Sequence, residues 1–184
     1  MSNLVKRVVP FILMFFVLIP SCSSQKTPPK KDEKKDNPVA VNWLKYDEGL
    51  KLAEKENKKV MTFFYTDWCG YCKRMFKYTF EDEKIKKILD KSFISIKVNG
   101  ESRNKLVLDK GNITERDLTS QYGVRGFPTT WFLEPNGEKI SPMVGYRTAE
   151  EFADVLNYVA GDWYKKISFE EYLKKKDELE KKGK

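Results

Sequence analysis

Histidine is missing from all 184 residues. That removes imidazole general bases, Cys–His nucleophile pairs and most zinc sites together. Cysteine is scarce: of three, only Cys69 and Cys72 stand in the body of the chain. Zinc takes about four ligands, usually Cys or His, so no structural zinc site is expected. A strongly one-sided charge is lacking too. The formal net charge is +8, from 35 basic and 27 acidic residues, but lysines interleave with acids, as in "KKKDELEKK" at Lys174–Lys182. Such a pattern is a solvated helix face rather than a nucleic-acid surface. Nothing in the sequence signals a metal, a nucleotide or another cofactor. What is present is a globular composition, 40% hydrophobic and 14% aromatic, long enough for one domain with a core and appendages.

The N-terminal apolar stretch is short. "VVPFILMFFVLI", Val8–Ile19, holds 12 residues, where a membrane span takes about 20. With Lys6 and Arg7 before it and no acid, it fits the apolar region of an export signal. Directly after stands "LIPSC", Leu18–Cys22, which resembles the lipobox of bacterial lipoproteins. Ile19 and Ser21 match that pattern, and Pro20 is a less usual member of it. The resemblance implies a lipoprotein-type signal peptide over residues 1–21 and a lipidated Cys22 as first residue of the mature chain. The alternative is ordinary cleavage nearby, with Cys22 lost or left as a spare thiol. Residues 22–38 continue into "SSQKTPPKKDEKKDNP", with three prolines, eight charges and no large apolar residue. This segment cannot bury a core and reads as a flexible tether. The expected location is the bacterial cell envelope, lipid-anchored, on the periplasmic or extracytoplasmic face.

From Val39 onward helix and strand patterns alternate. "YDEGLKLAEKENKK" reads as helix with Asp47 as N-cap and Leu50 and Ala53 on one face. "KVMTFFYT", Lys59–Thr66, is a buried strand of β-branched and aromatic residues. A helix starts at the cysteines, and a second or kinked piece follows in "TFEDEKIKKILDK". "SFISIKVN", Ser92–Asn99, is a strand, residues 100–112 read as loop, and Thr114/Asp117 have capping-box spacing before a short helix. "PTTWFLEPNGEKISPMVGY" has the form of a β-hairpin turning at Pro135-Asn136-Gly137. Thr148/Glu151 and Ser168/Glu171 open two further helices as capping boxes. Phe152, Val155, Leu156 and Val159 form the apolar stripe of the first. Phe169, Tyr172 and Leu173 pin the second. The sum is an α/β domain with a central mixed sheet whose last two strands are antiparallel.

Two cysteines three positions apart leave two readings beside zinc. A structural disulfide between them closes a tiny loop and stabilises little, although an exported protein is where disulfides persist. A redox pair fits the setting better. Cys69 stands where strand gives way to helix, and unpaired N–H groups there favour a thiolate. Cys72 lies one turn along, on the inner side. Cys69 then forms the mixed disulfide with a substrate and Cys72 resolves it. Gly70 allows close approach of a partner's backbone, and Tyr71 forms part of the rim. The Cys69 thiol is expected to titrate below the free value of about 8.5.

Over residues 39–164 the chain resembles the thioredoxin family. The motifs are "DWCGYCK" (Asp67–Lys73), "IKVN" (Ile96–Asn99) and "YGVRGFPTTWFLEPNGE" (Tyr122–Glu138), followed by Gly145. The segment after Cys72 and the extension over residues 165–184, a charged C-terminal helix, are similar to bacterial periplasmic relatives. The resemblance implies a thioredoxin fold, a central mixed β-sheet flanked by helices. It implies that Trp68 shields the site, where a plain half-buried aromatic is the other reading. It implies a cis Pro128 with Phe127 and Thr129 touching substrate, against an ordinary trans proline opening a strand. It aligns Lys97 with a lysine beneath the site, whose charge favours thiolate if it points inward. One departure stands out. The family often buries an aspartate six residues before the first cysteine, as proton handler for the second, and this chain has Phe63 there. The loop at 100–112 is longer than in small thioredoxins, as a tolerated insertion or as a partner-selecting lip.

The implied function is a membrane-anchored thiol–disulfide oxidoreductase. Gly70-Tyr71 lacks the histidine of strong oxidants in the family, which favours a reductase or interchange protein. The alternatives are an oxidase or isomerase, or a redox-inactive binding lipoprotein on the same scaffold. The partners implied are exported protein thiols and disulfides, including those of apocytochrome c, and a membrane thiol-electron carrier.

Overall fold

The computed structural model describes residues 40–108 and 111–182. The expected export signal, Cys22, the expected tether and Val39 lie outside them. Among the described residues no helix is long and apolar enough to cross a membrane.

The elements run β1 (Trp43–Leu44), α1 (Tyr46–Glu56), β2 (Lys59–Tyr65), α2 (Gly70–Arg74), a π-helical turn (Met75–Thr79), α3 (Glu83–Ser92), β3 (Phe93–Asn99), β4 (Lys105–Leu108), β5 (Gly111–Thr114), α4 (Glu115–Gln121), β6 (Thr129–Leu133), β7 (Lys139–Val144), α5 (Ala149–Ala160), a 3-10 turn (Trp163–Lys165) and α6 (Phe169–Lys182). Five strands make the central sheet in the order β1-β3-β2-β6-β7. β1, β3 and β2 are parallel; β6 and β7 are antiparallel. The mixed sheet and its antiparallel final hairpin match the sequence reading.

β2 sits at the centre and is covered on both faces, which is why its apolar run is nearly unbroken. Met61 and Phe63 enter one core with Cys69, Cys72, Met75, Phe80, Leu89, Phe152 and Leu156. Val60 and Phe64 enter the other with Tyr46, Ala53, Ile96, Leu118 and Tyr122. α1 lies tight on β3: a Cβ at Gly49 would come within 2.5 Å of the Ile96 side chain.

Two readings are corrected. Asp47 is not the N-cap of α1. That position is Lys45, which makes no side-chain cap bond, because Tyr46 already enters the helix to bury its ring and meet the Tyr122 hydroxyl at 2.5 Å. The Asp47 carboxylate instead accepts from the Val107 backbone N–H at 3.2 Å. That bond explains the second correction. The stretch expected as loop contains a two-stranded hairpin, β4 against β5, with Leu106 buried in the second core.

Local signals elsewhere held. Thr114/Asp117 and Thr148/Glu151 form reciprocal capping boxes, and Ser168 and Glu171 exchange the same bonds ahead of α6. α6 packs on α5 through Tyr158, whose ring centroid lies 5.2 Å from Phe169 and 5.3 Å from Tyr172. The 3-10 turn joins the strand ends through charge. Lys59 and Lys165 both pair with Asp162, at 3.0 and 2.8 Å, and with Glu134, at 3.8 and 3.0 Å. The Tyr164 hydroxyl donates to Glu134 at 2.5 Å. Hydrogen bonds from Lys165 and then Lys59 hold the Asp162 carboxyl down at about 2.

Candidate active site

Cys69 is the N-cap of α2, in extended conformation, and its Sγ accepts from the Cys72 backbone N–H at 3.0 Å. The two sulfurs are bonded to each other, with the Cα atoms 5.2 Å apart. Cys72 is 1% exposed and Cys69 4%, so both residues are buried in the bonded state.

Beneath the pair the surroundings are aromatic. Phe63 is fully buried, with ring centroids of Phe80 at 4.9 Å, Phe76 at 5.2 Å and Trp43 at 6.2 Å. Tyr65 stacks along Phe63 at 6.4 Å. Burial, then the neighbouring charges of Asp67 and Glu115, push the Tyr65 hydroxyl above its ordinary range.

Lys97 does not supply an inward charge. It is the register partner of Phe63, but its side chain is exposed, beside a surface groove it lines with Tyr65, Asn99 and Glu115. β1 ends at Leu44, opposite Ile96, so among the described residues no strand pairs with β3 at Lys97 on that edge. Position 63, across from it, holds a phenyl ring in place of a carboxylate that would draw its amine in.

Around the sulfurs stand three loops. Trp68, 66% exposed, meets Phe127 edge-on at 6.3 Å; it is far more open than a half-buried aromatic. The Phe127–Pro128 peptide is cis, as the resemblance implies. Pro128 is buried, and Thr129, also buried, donates from Oγ1 to the Gly126 carbonyl at 2.7 Å. A Cβ at Gly70 would meet nothing within 4 Å, so that position faces open space. Gly145, at φ 90°, donates its N–H to the Pro128 carbonyl at 2.8 Å. This left-handed backbone suits glycine, and it ties the loop after β7 to the cis-proline loop.

The same loop carries residues the sequence reading did not single out. The Tyr146 ring lies 6.2 Å from Tyr71, itself 62% exposed, and the Arg74 guanidinium sits 5.1 Å from the Tyr146 centroid. Thr79, buried in the π-helical turn, donates to the Arg147 carbonyl at 2.7 Å. An aromatic directly after Gly145 was the one available signal.

The family model for the thioredoxin-like domain matches residues 46–160. The chain belongs to the thioredoxin-like family. Its relatives include a protein disulfide-isomerase of Hordeum vulgare, 34% identical over 102 residues, which are 55% of this chain and 17% of that protein. The thiol:disulfide interchange protein DsbD of Actinobacillus pleuropneumoniae serotype 5b (strain L20) is 31% identical over 111 residues, 58% of this chain and 17% of that protein. Among solved structures, a putative disulphide-isomerase from Bacteroides thetaiotaomicron superposes with a TM-score of 0.53 at 29% identity, covering 66% of this chain and 93% of that one. This thioredoxin-like chain thus matches under a fifth of the length of each of these two curated relatives.

Proposed function

We propose that this protein is a thiol–disulfide oxidoreductase working through Cys69 and Cys72, in the reducing or interchange direction. The observation that carries the reading is the bonded cysteine pair at the start of α2, set beside a cis-proline loop and open to a partner at Gly70 and Trp68. In the reduced protein the Cys69 thiolate attacks one sulfur of a substrate disulfide. That S–S bond breaks, a mixed disulfide forms, and one substrate thiolate leaves. The Cys72 sulfur then attacks Cys69, closing the Cys69–Cys72 bond and releasing the second substrate thiolate. Two electrons pass to the substrate. The Cys72 proton goes to water or to the departing thiolate, since Phe63 offers no acceptor. A dithiol donor resets the pair.

The setting we propose is the bacterial cell envelope, with the chain held by a lipidated Cys22 after removal of residues 1–21, and residues 22–38 as tether to the domain. Exported proteins with oxidised cysteines, apocytochrome c among them, are the substrates, and a membrane thiol carrier is the donor. The DsbD match and the lipobox resemblance support this reading.

Insulin reduction by dithiothreitol tests the activity. Wild type is expected to accelerate precipitation of the insulin B chain and Cys69→Ser to lose the effect. Equal rates for the two would favour a binding protein that does not use its cysteines. The reduction potential of the Cys69–Cys72 couple then fixes direction: a value near those of reducing thioredoxins, about −270 mV, is expected, and one near −120 mV would mean an oxidase.

A further inference from the structure

The surface on the α2 side of the cysteines is rich in cations. Lys73, Arg74 and Lys77 are all exposed, and among the described residues no ion pair reaches them. Arg74 and Lys77 lie instead over the rings of Tyr146 and Tyr78, each 5.1 Å from the centroid. Several acids around this face have partners of their own. Glu81 pairs with Lys86 at 2.8 Å. Asp82 accepts from the backbone N–H groups of Lys84 and Ile85, at the start of α3. Glu151 is taken up by Thr148 at the start of α5. On the other flank of the site Asp67 accepts from Asn99 at 3.0 Å. Arg147 adds a fourth cation beside this face, its Nη1 on the Tyr146 carbonyl at 2.8 Å.

Alongside the cations stand large exposed apolar groups. Tyr71 is 62% exposed and Tyr78 57%. A guanidinium resting on an aromatic face keeps its N–H edge available, and that edge matches a carboxylate with two parallel hydrogen bonds. Resting on the exchange reading above, we propose that the Tyr71–Arg74–Tyr146 face, with Lys73 and Lys77, receives an acidic segment of the substrate protein next to its reacting cysteine. The chemistry gives such a face a purpose. A thiolate approaching a disulfide flanked by carboxylates is repelled, and that repulsion slows exchange. Cations set one to two helical turns from Cys69 offset it and raise the encounter rate. Aromatic area from Tyr71 and Tyr146 then holds an apolar neighbour in the same segment.

The test uses the full chain, reduced and freed of excess reductant, in single-turnover reaction with two disulfide-linked synthetic peptide dimers. They differ only in having Glu or Lys on both sides of a Phe-Cys pair. Release of peptide thiol is followed at low salt and at high salt. The acidic dimer is expected to react about tenfold faster at low salt, with the advantage fading at about 0.5 M salt. The rate ratio should fall toward one in the Lys73→Gln/Arg74→Gln/Lys77→Gln variant. It should also fall, without reaching one, in the single variant Lys77→Glu, which keeps the test open if the triple variant folds poorly. Equal wild-type rates for the two dimers, or a ratio that neither variant moves, would overturn acidic recognition and leave disulfide exchange standing. Failure of wild type to reduce either dimer would overturn both.

Discussion

Thr79 Oγ1 donates to the Arg147 carbonyl oxygen at 2.7 Å, across 68 residues of sequence. The bond joins the end of the cysteine-bearing helical segment to the loop that holds Tyr146 over Arg74. Thr79 is fully buried, and valine has the same shape without the donor. Thr79→Val is therefore expected to cost about 1–2 kcal/mol, the penalty of a buried hydrogen bond lost on one side. Urea unfolding of the two proteins measures it. A change within error would mean that the loop holds its place without this bond.

Phe63 fills the place beneath the cysteines with a phenyl ring packed against Trp43, Phe76 and Phe80. Phe63→Ala should destabilise the fold by about 3–5 kcal/mol, from lost burial and the cavity left behind. Chemical denaturation reads this directly. A cost under about 1 kcal/mol would show that the aromatic cluster closes over the gap and that the ring is replaceable.

Asp162 ties the C-terminal turn to the sheet ends through Lys59 and Lys165. Its folded-state carboxyl is depressed to about 2, below an unfolded value of about 3.9. The sign follows: the stabilisation is fully present above the unfolded value and is lost as pH falls through about 2. The side chain is 42% exposed, so solvent screening holds the contribution to about 1 kcal/mol. Asp162→Asn keeps a residue that tolerates the left-handed backbone found there, φ 56°. The stability gap between wild type and Asp162→Asn should be present at pH 5, shrink steeply below about pH 4 and be gone by about pH 1. A gap that stays constant over that range would mean the charge contributes nothing.

Local chemistry made much of the fold legible. The capping pairs at Thr114, Thr148 and Ser168 act within four residues of chain. The central strand β2 announces itself by an apolar run, and the final hairpin by Pro135-Asn136-Gly137. The β4–β5 hairpin was not legible, because Lys105–Leu108 is short and mixed in polarity. Tertiary contact decides it: Asp47 takes the Val107 N–H, and Leu106 is drawn into the core. Asp47 misled for the same reason. At the site, Cys69, Cys72 and the cis Pro128 could be read from motifs. The exposure of Lys97 could not, since it depends on β1 stopping at Leu44. Nor could the meeting of Tyr71 and Arg74 with Tyr146, which lies more than 70 residues further along and joins them only in the folded chain.

Exchange at Cys69 is tested most directly by trapping. In Cys72→Ser the resolving sulfur is gone, so a mixed disulfide formed at Cys69 should persist. The variant is expressed in a bacterial host, thiols are quenched with acid and alkylated, and adducts are mapped by mass spectrometry. The expected result is exported proteins disulfide-linked to Cys69, absent from a Cys69→Ser/Cys72→Ser control. A Cys72→Ser variant that carries no adduct at Cys69, with that thiol recovered alkylated, would contradict exchange through this pair.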